Sequence, residues 1–260
     1  QFKLYVGRME SNEDSKFLKL FNQLDKMNIY KEDVIIEKKI VSKVQLSNLK
    51  AHLYKQILIS LRLNPQHKNV KLHIRSQIDF ATILYQKGLY KQSLKILDKA
   101  KSFALKYDEN TSAYEIVEFE KLIESLYVTR SLSNRTNELV SQTNHLKEQN
   151  DINSNLSNIS LQLYEKLIKA GYAKSDTESK EIQNFFSQKI QNFKVESLGF
   201  REKLIYYQIW VWYSLLVQDF LSSYKYASKW IDTFNKNPDM IKVHPVFYLK
   251  GYNFLLEALA

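Results

Sequence analysis

The sequence predicts an all-α protein, an α-solenoid of antiparallel helical hairpins with about ten to twelve helices. Its 260 residues include only 5 glycines and 3 prolines, too few turn residues for the many connections of an all-β or α/β fold. Apolar residues instead recur three and four positions apart, as they do on one face of an α-helix. We favour an extended array over a compact bundle because each hairpin can bury its apolar faces on its neighbours.

Residues 74–104 predict one complete helical hairpin. Two runs of apolar residues at helical spacing lie on either side of Gly88. The first run is Ile74, Ile78, Ala81, Leu84 and Tyr85, and the second is Leu94, Leu97, Ala100 and Ala104. Glycine readily adopts the left-handed conformation that ends many helices, so Gly88 marks the end of the first helix.

This hairpin resembles a tetratricopeptide repeat (TPR). The matching residues are Gly88, Tyr90, Ser93, Leu97 and Ala100, while Ala81 and Leu105 depart from the family's usual glycine and proline. The resemblance implies a right-handed superhelix of hairpins that acts as a scaffold for a protein or peptide partner. In the family, partners lie in the concave surface formed by the first helices of successive hairpins. For this chain the resemblance points to Gln77, Asp79, Tyr85, Gln208 and Tyr213 as partner-binding residues.

A second, weaker copy of the hairpin is predicted near the C-terminus. Phe220 stands where Tyr90 stood in the first copy. Ser223 likewise stands where Ser93 stood. Phe220 follows Tyr90 by 130 residues (220 minus 90), close to four units of about 34 residues each. We therefore expect degenerate hairpins between the two copies.

The helical periodicity and the cap signals place the helices along the chain. We predict helices at residues 12–28, 31–39, 45–63, 68–87, 90–107, 112–149, 153–170, 177–194, 200–217, 220–236 and 245–258. The segment 112–149 is too long for one arm of a hairpin, so we expect a break near residues 131–134. The tract 141–158 is rich in Asn, Gln and Ser and poor in apolar residues, which predicts a polar connection.

These elements give a predicted domain organisation. An N-terminal helical region (1–63) precedes TPR-like hairpins at 64–140, with the clearest repeat at 74–107. The polar connection (141–158) then leads to C-terminal TPR-like hairpins at 159–260. The chain opens on Gln1 and ends in an amphipathic helix without a polar capping helix, so we expect a fragment of a longer protein.

The net charge of +10 arises almost entirely in one stretch. Residues 38–78 contain nine Lys and Arg residues and three His residues, and no acid. The candidate basic patch is Lys43, Lys50, Lys55, Arg62, Lys68, Lys71 and Arg75. Such a density of cations predicts a surface for nucleic acid, acidic lipid or an acidic peptide. The alternative is a solvated helix face whose charge is balanced by the acidic stretch 108–124.

Residues 31–63 allow a second functional hypothesis, a transcription regulator with a helix-turn-helix-like element and the repeats as a sensor or dimerisation domain. Against it, Leu46, Leu53 and Leu61 belong to an apolar stripe along the would-be recognition helix. Lys also outnumbers Arg by 32 to 6, and Arg is the side chain that most often reads guanine. A protein or peptide partner is therefore favoured over nucleic acid.

The sequence lacks the patterns of the common catalytic and metal sites. The five glycines are at least 28 residues apart, which excludes a glycine-rich phosphate loop. There is no cysteine, and the five histidines show no HExxH spacing. We therefore predict that the protein is not an enzyme and has no cofactor or metal. The uncharged stretch 204–218 is too short to span a bilayer, and no signal peptide is visible, so a cytoplasmic location is expected.

Eleven aromatic residues, including all three tryptophans, lie between Phe200 and Phe234. The helix predicted at 200–217 is apolar almost all round, which predicts a central place in the core. The alternative is that some of these rings line the concave groove and anchor a peptide.

Overall fold

The computed structural model describes residues 2–8, 15–38, 40, 42–63, 69–126 and 135–259. These residues form helices without any β-strand, so the protein is all-α, as predicted. The helices are α1 (Phe2–Val6), α2 (Lys16–Leu24), α3 (Glu32–Glu37), α4 (Lys43–Arg62), α5 (Val70–Gln86), α6 (Tyr90–Lys106), α7 (Asn110–Leu126), α8 (Arg135–Ala170), α9 (Asp176–Ile190), α10 (Phe200–Leu216), α11 (Phe220–Asn235), α12 (Asp239–Val243) and α13 (Pro245–Glu257). The chain divides into two compact units, Gln1–Lys68 and Asn69–Ala260.

The first unit contains α1 to α4 around a small apolar core. Helix α4 packs against α1 and α2. The buried core residues are Phe2, Val6, Phe17, Leu20, Ile35, Leu46 and Leu53. The stripe predicted along α4 therefore faces this core, at Leu46 and Leu53, while Leu61 is exposed. The short helix α1 was not predicted from the sequence.

In the second unit, helices that are close in the chain are also packed together. The main contacts join α5 to α6, α6 to α7, α7 to α8, α8 to α10, α10 to α11 and α11 to α13. One core lies among α5, α6, α7 and the first half of α8. A second core lies among the rest of α8 and helices α9 to α11. Helix α8 thus runs from one core to the other.

The hairpin α10–α11 repeats the hairpin α5–α6. Adding 130 to the bounds of α5 gives 200–216, the bounds of α10, and the starts of α6 and α11 differ by the same number. Each hairpin has a three-residue turn with a left-handed residue at its centre, Gly88 (φ 75°) in the first and Gln218 (φ 58°) in the second. Ser93 and its equivalent Ser223 are both buried. The alignment of the two copies that the sequence predicted is therefore confirmed at the level of the hairpin.

The region between the two copies differs from the prediction. We expected degenerate hairpins of about 34 residues, but the described residues there contain only three α-helices, α7, α8 and α9. Residues 141–158 lie inside the 36-residue helix α8, so the helix boundary and polar connection predicted there are wrong. Buried Leu139, Leu146, Leu156 and Leu163 hold α8 against both cores, and no Gly or Pro interrupts it. The break predicted at 131–134 lies outside the described residues.

Most of the aromatic residues between Phe200 and Phe234 belong to the core or pack against it, as core packing, the first of the two interpretations, predicts. Trp230 and Phe234 are fully buried, and Trp212 is almost so. Phe220 and Tyr224 are exposed instead. The rings of Trp210 and Tyr226 stack with their centroids 4.5 Å apart, which joins α10 to α11.

Candidate functional site

A cleft of about 350 Å³ lies between α8 and α10, with one residue of α13 at its side. We call it the α8/α10 cleft. Its lining residues are Asn153, Ser157, Ser160, Leu161 and Tyr164 from α8, Arg201, Ile205, Gln208 and Trp212 from α10, and Phe247 from α13. The lining is a mixture of apolar, amide, hydroxyl and cationic groups, which is the composition of a site for a polar ligand with an apolar part.

The two helices contribute matching rows of side chains. Asn153, Ser157, Ser160 and Tyr164 are spaced by four, three and four residues, and so are Arg201, Ile205, Gln208 and Trp212. Each row therefore lies on one face of its helix. Eleven residues of α-helix rise by about 16 Å, which gives the length of the cleft. The rings of Tyr164 and Trp212 meet at one end, with their centroids 4.8 Å apart.

Gln208 is the main polar group in the wall of this cleft. Its residue surface is only 5% exposed, yet none of the described residues is a hydrogen-bond partner of its side chain. The Oδ1 atom of Asn153 on the opposite wall is also buried without a partner in the part of the chain that the structure describes. An unmade hydrogen bond at a buried group costs about 1–3 kcal/mol, which applies to Oδ1 of Asn153, whereas the amide of Gln208 is not among the fully buried atoms without a partner. Both amides are suited to pair with a ligand.

At the aromatic end of the cleft, Lys250 of α13 covers the rings. Its Nζ lies 4.8 Å from the centroid of the Trp212 ring and 5.8 Å from that of Tyr164. Burial lowers the pKa of Lys250, because a charged ammonium loses hydration there. Gly251 lets α13 pack closely against α11, since an added Cβ would lie 2.9 Å from Cδ1 of Ile231.

At the opposite end, Arg201 is held by the turn between α6 and α7. The backbone N–H of Arg201 donates a hydrogen bond to Oδ2 of Asp108 at 2.8 Å, so Asp108 caps the N-terminus of α10. Asp108 adopts a positive φ of 57° in this turn. The Arg201 guanidinium lies 3.9 Å from the carboxylate of Glu109, a long ion pair that leaves 35% of the Arg201 side chain exposed. The guanidinium can therefore turn toward a ligand.

The structure places the five predicted partner-binding residues in different surroundings. Gln208 lines the α8/α10 cleft. Tyr213 instead stacks on Phe186 of α9, with ring centroids 3.8 Å apart. Gln77, Asp79 and Tyr85 lie on α5, which contributes no residue to the cleft.

Sequence reasoning missed the α8 wall and the two cations at the ends of the cleft. On α10 the signal is Gln208, the one amide side chain in the uncharged stretch from residue 204 to the end of the helix. On α8 the signal was the row of polar residues at intervals of four, three and four, which the prediction of a polar connection obscured.

The candidate basic patch is divided between the two units. Lys43, Lys50, Lys55 and Arg62 lie on α4 in the first unit, Lys71 and Arg75 lie on α5 in the second, and Lys68 lies outside the described residues. Lys50 pairs with Glu32 at 3.2 Å. Arg75 pairs with Glu115 at 2.8 Å, and Lys71 lies 3.8 Å from Glu109. The pairs made by Lys71 and Arg75 agree with the alternative interpretation, in which the acidic stretch 108–124 balances the positive charge of a solvated helix face.

The remaining predictions concern sites of other kinds. Within the described ranges, no group of three or more His, Asp or Glu side chains is placed to hold a metal ion. None of the described helices combines the length and the apolar character needed to cross a membrane. The helix-turn-helix hypothesis for residues 31–63 stays a prediction. Comparison of the chain with protein-family models, with curated proteins and with solved structures finds no match.

Proposed function

We propose that this protein is a non-enzymatic scaffold, a solenoid of TPR-like hairpins that binds a peptide segment of a partner protein in the α8/α10 cleft. The Gln208 side chain carries the proposal. Its residue surface is only 5% exposed, its amide has no hydrogen-bond partner among the described residues, and it lies midway along the cleft wall between Arg201 and Trp212. Such an amide at a cleft surface can exchange its hydrogen bonds to water for hydrogen bonds to a ligand with complementary groups.

An extended peptide has the complementary groups and the right dimensions. A side-chain amide has both a carbonyl acceptor and an N–H donor, and a peptide unit has the same pair. The cleft is about 16 Å long, which equals about five residues of extended chain at 3.3 Å per residue. Ile205 and Phe247 line the cleft as apolar surface for the side chains of such a segment.

The architecture supports a scaffold made of repeats. After a shift of 130 residues, the hairpins α5–α6 and α10–α11 share the bounds of the first helix, the start of the second helix and the position of the left-handed turn residue. Within Asn69–Ala260 each main contact joins a helix to the next helix or to the next but one, as with α8 on α10 and α11 on α13. Repeat arrays likewise bury their faces on near neighbours in the chain. Such arrays generally present grooves between parallel helices, and the α8/α10 cleft is a groove of this kind.

Selection of peptides from a phage-displayed random library tests this function. We expect the wild-type protein to enrich peptides whose affinity falls about tenfold in Gln208→Leu, because the variant removes the amide but keeps the volume of the side chain. Gln188→Leu is the matched control, since Gln188 is exposed on α9 and lies outside the cleft. Fluorescence anisotropy of the labelled peptides measures each affinity. Failure to enrich peptides, or equal affinity for both variants, would contradict the proposal.

A further inference from the structure

We infer that the α8/α10 cleft selects acidic peptides, with one carboxylate side chain held by Lys250 and a second, about four to five residues away, held by Arg201. The inference rests on the proposed function, because it names the class of peptide that the same cleft takes. Three features support it: a cation without a carboxylate partner at the aromatic end, a second cation at the other end, and a lining without acids.

Lys250 is the first feature. Its ammonium has aromatic rings as neighbours and no carboxylate partner in the part of the chain that the structure describes. A half-buried ammonium in these surroundings has lost hydration, which is consistent with the lowered pKa of this group. The rings compensate only part of that loss, since a cation–π contact is weaker than a charge-assisted hydrogen bond. A carboxylate from a ligand supplies the missing partner.

Arg201 is the second feature. Its guanidinium has five N–H donors, and its contact with Glu109 at 3.9 Å is longer than a hydrogen bond. Glu109 also lies 3.8 Å from Lys71, so this one carboxylate is shared between two cations. A second carboxylate therefore fits beside Arg201 without displacing an existing hydrogen bond.

The third feature is the charge of the lining. No Asp or Glu is among the ten residues that line the cleft. The nearest acids lie outside the lining. Asp108 accepts the backbone N–H of Arg201, Glu109 is shared between Arg201 and Lys71, and the Glu202 side chain is buried beside Gly199. Arg201 lines one end of the cleft, the Lys250 ammonium lies over rings that line the other end, and the lining has no acid, so the cleft attracts an anionic segment.

The distance between the two cations predicts how far apart the two acidic residues of the peptide lie. Arg201 and Trp212, the ring beneath Lys250, are separated by eleven residues of α10, or about 16 Å. An extended peptide covers this distance in about five residues. The residues between the two acids lie against Ile205, Gln208 and Phe247, so we expect at least one of them to be apolar.

Two pools of labelled heptapeptides test the inference on the wild-type protein. Both pools are acetylated at the N-terminus and amidated at the C-terminus. One has glutamate fixed at two positions four apart, and the other has glutamine there. We expect the glutamate pool to bind at least about tenfold more tightly by fluorescence anisotropy at low salt, and the difference to shrink as salt screens the charges.

Variants then assign the preference to the two cations. Lys250→Met keeps an unbranched apolar side chain beside the Trp212 ring and removes the positive charge. Arg201→Gln removes the positive charge at the other end of the cleft. Each should lower the preference for the glutamate pool about threefold to tenfold. Lys236→Gln, at an exposed position after α11, is the charge-matched control and should leave it unchanged. Circular dichroism confirms that each variant is folded.

The outcomes separate this inference from the proposed function. Equal binding of both pools, with continued sensitivity to Gln208→Leu, would overturn the acidic preference and leave peptide binding intact. Binding that requires a free C-terminal carboxylate instead of glutamate side chains would also overturn it. Absence of binding by any peptide, including those of the random library, would contradict the proposed function itself.

Discussion

At the scale of single residues, the turns show what sequence alone can predict. Gly88 was identifiable because glycine is the usual residue at a left-handed helix end. Asp108 and Gln218 adopt the same conformation, with φ values of 57° and 58°. Aspartate enters the left-handed region more readily than most residues, but both side chains are also common on helix surfaces, so their identity alone does not mark a turn. The second turn was found only through its alignment with the first.

Gly88 supports a direct prediction about stability. Its φ is 75°, and a Cβ added there would meet no atom within 4 Å, so Gly88→Ala adds backbone strain without a clash. We expect Gly88→Ala to lower the free energy of unfolding by about 1–2 kcal/mol in urea titrations. Gly88→Asn should cost less, because asparagine tolerates the left-handed region better. An alanine variant as stable as the wild type would contradict this account of the turn.

The candidate site was predicted only in part. Gln208 was named from the family resemblance, and the structure places it in the α8/α10 cleft. Tyr213 is only five residues further along α10, but its ring packs on Phe186. A sequence shows that α10 is apolar almost all round and does not show which neighbour covers each face. The direction of each side chain therefore had to come from the packing of α8 and α9.

At the scale of elements, α8 is where the prediction failed and where the second unit is held together. Its apolar residues are sparse, so the tract 141–158 resembled a connection by composition. The helix persists because its few apolar residues fall at intervals that face the two cores, with Leu146 in one and Leu156 in the other. Burial of an apolar stripe outweighs the weak helix propensity of Asn and Ser.

The start of α8 is also fixed by a buried ionic network. Lys101 of α6 lies 2.6 Å from Glu120 of α7, and Arg135 of α8 lies 3.3 Å from the same carboxylate. Glu120 is completely buried. Burial raises the pKa of Glu120 to about 7, against the lowering effect of the two cations. The network therefore ties three helices to one titratable group.

This raised pKa predicts how stability depends on pH. Between pH 4.5, the ordinary pKa of the group, and about 7, the folded state binds the Glu120 proton more tightly than the unfolded state does. The contribution of Glu120 to the free energy of unfolding is therefore present below pH 4.5 and lost as pH rises through 7, by up to about 3 kcal/mol.

Urea titrations at several pH values measure this contribution as the difference between the wild type and Glu120→Gln. We expect the stability of the wild type relative to the variant to fall from pH 4.5 to 7.5. The control is Glu165→Gln, an exposed carboxylate of α8 beside Lys169, which should show no such fall. A rise instead would mean that Lys101 and Arg135 keep Glu120 ionised throughout.

At the scale of the whole molecule, the fold class and most helix positions followed from the sequence. The scarcity of Gly and Pro and the helical periodicity predicted an all-α chain, and the caps at Asn69, Ser175 and Asp219 mark helix starts near those predicted. The sequence does not predict the cleft, because the two facing rows of side chains, on α8 and α10, are 48 residues apart in the chain (201 minus 153). The long α8 creates the cleft by reaching from the first core to α10.

Photo-crosslinking tests the central claim, peptide binding in the α8/α10 cleft, most directly. A photoreactive benzoylphenylalanine replaces Leu161, which is 67% exposed and lines the cleft, or Leu221, which is 80% exposed on α11 and does not. Peptides selected from the random library are added, and the crosslinked products are mapped by mass spectrometry. We predict crosslinks from position 161 that excess unlabelled peptide removes, and none from position 221. Crosslinks from 221 alone, or equally from both positions, would contradict the claim.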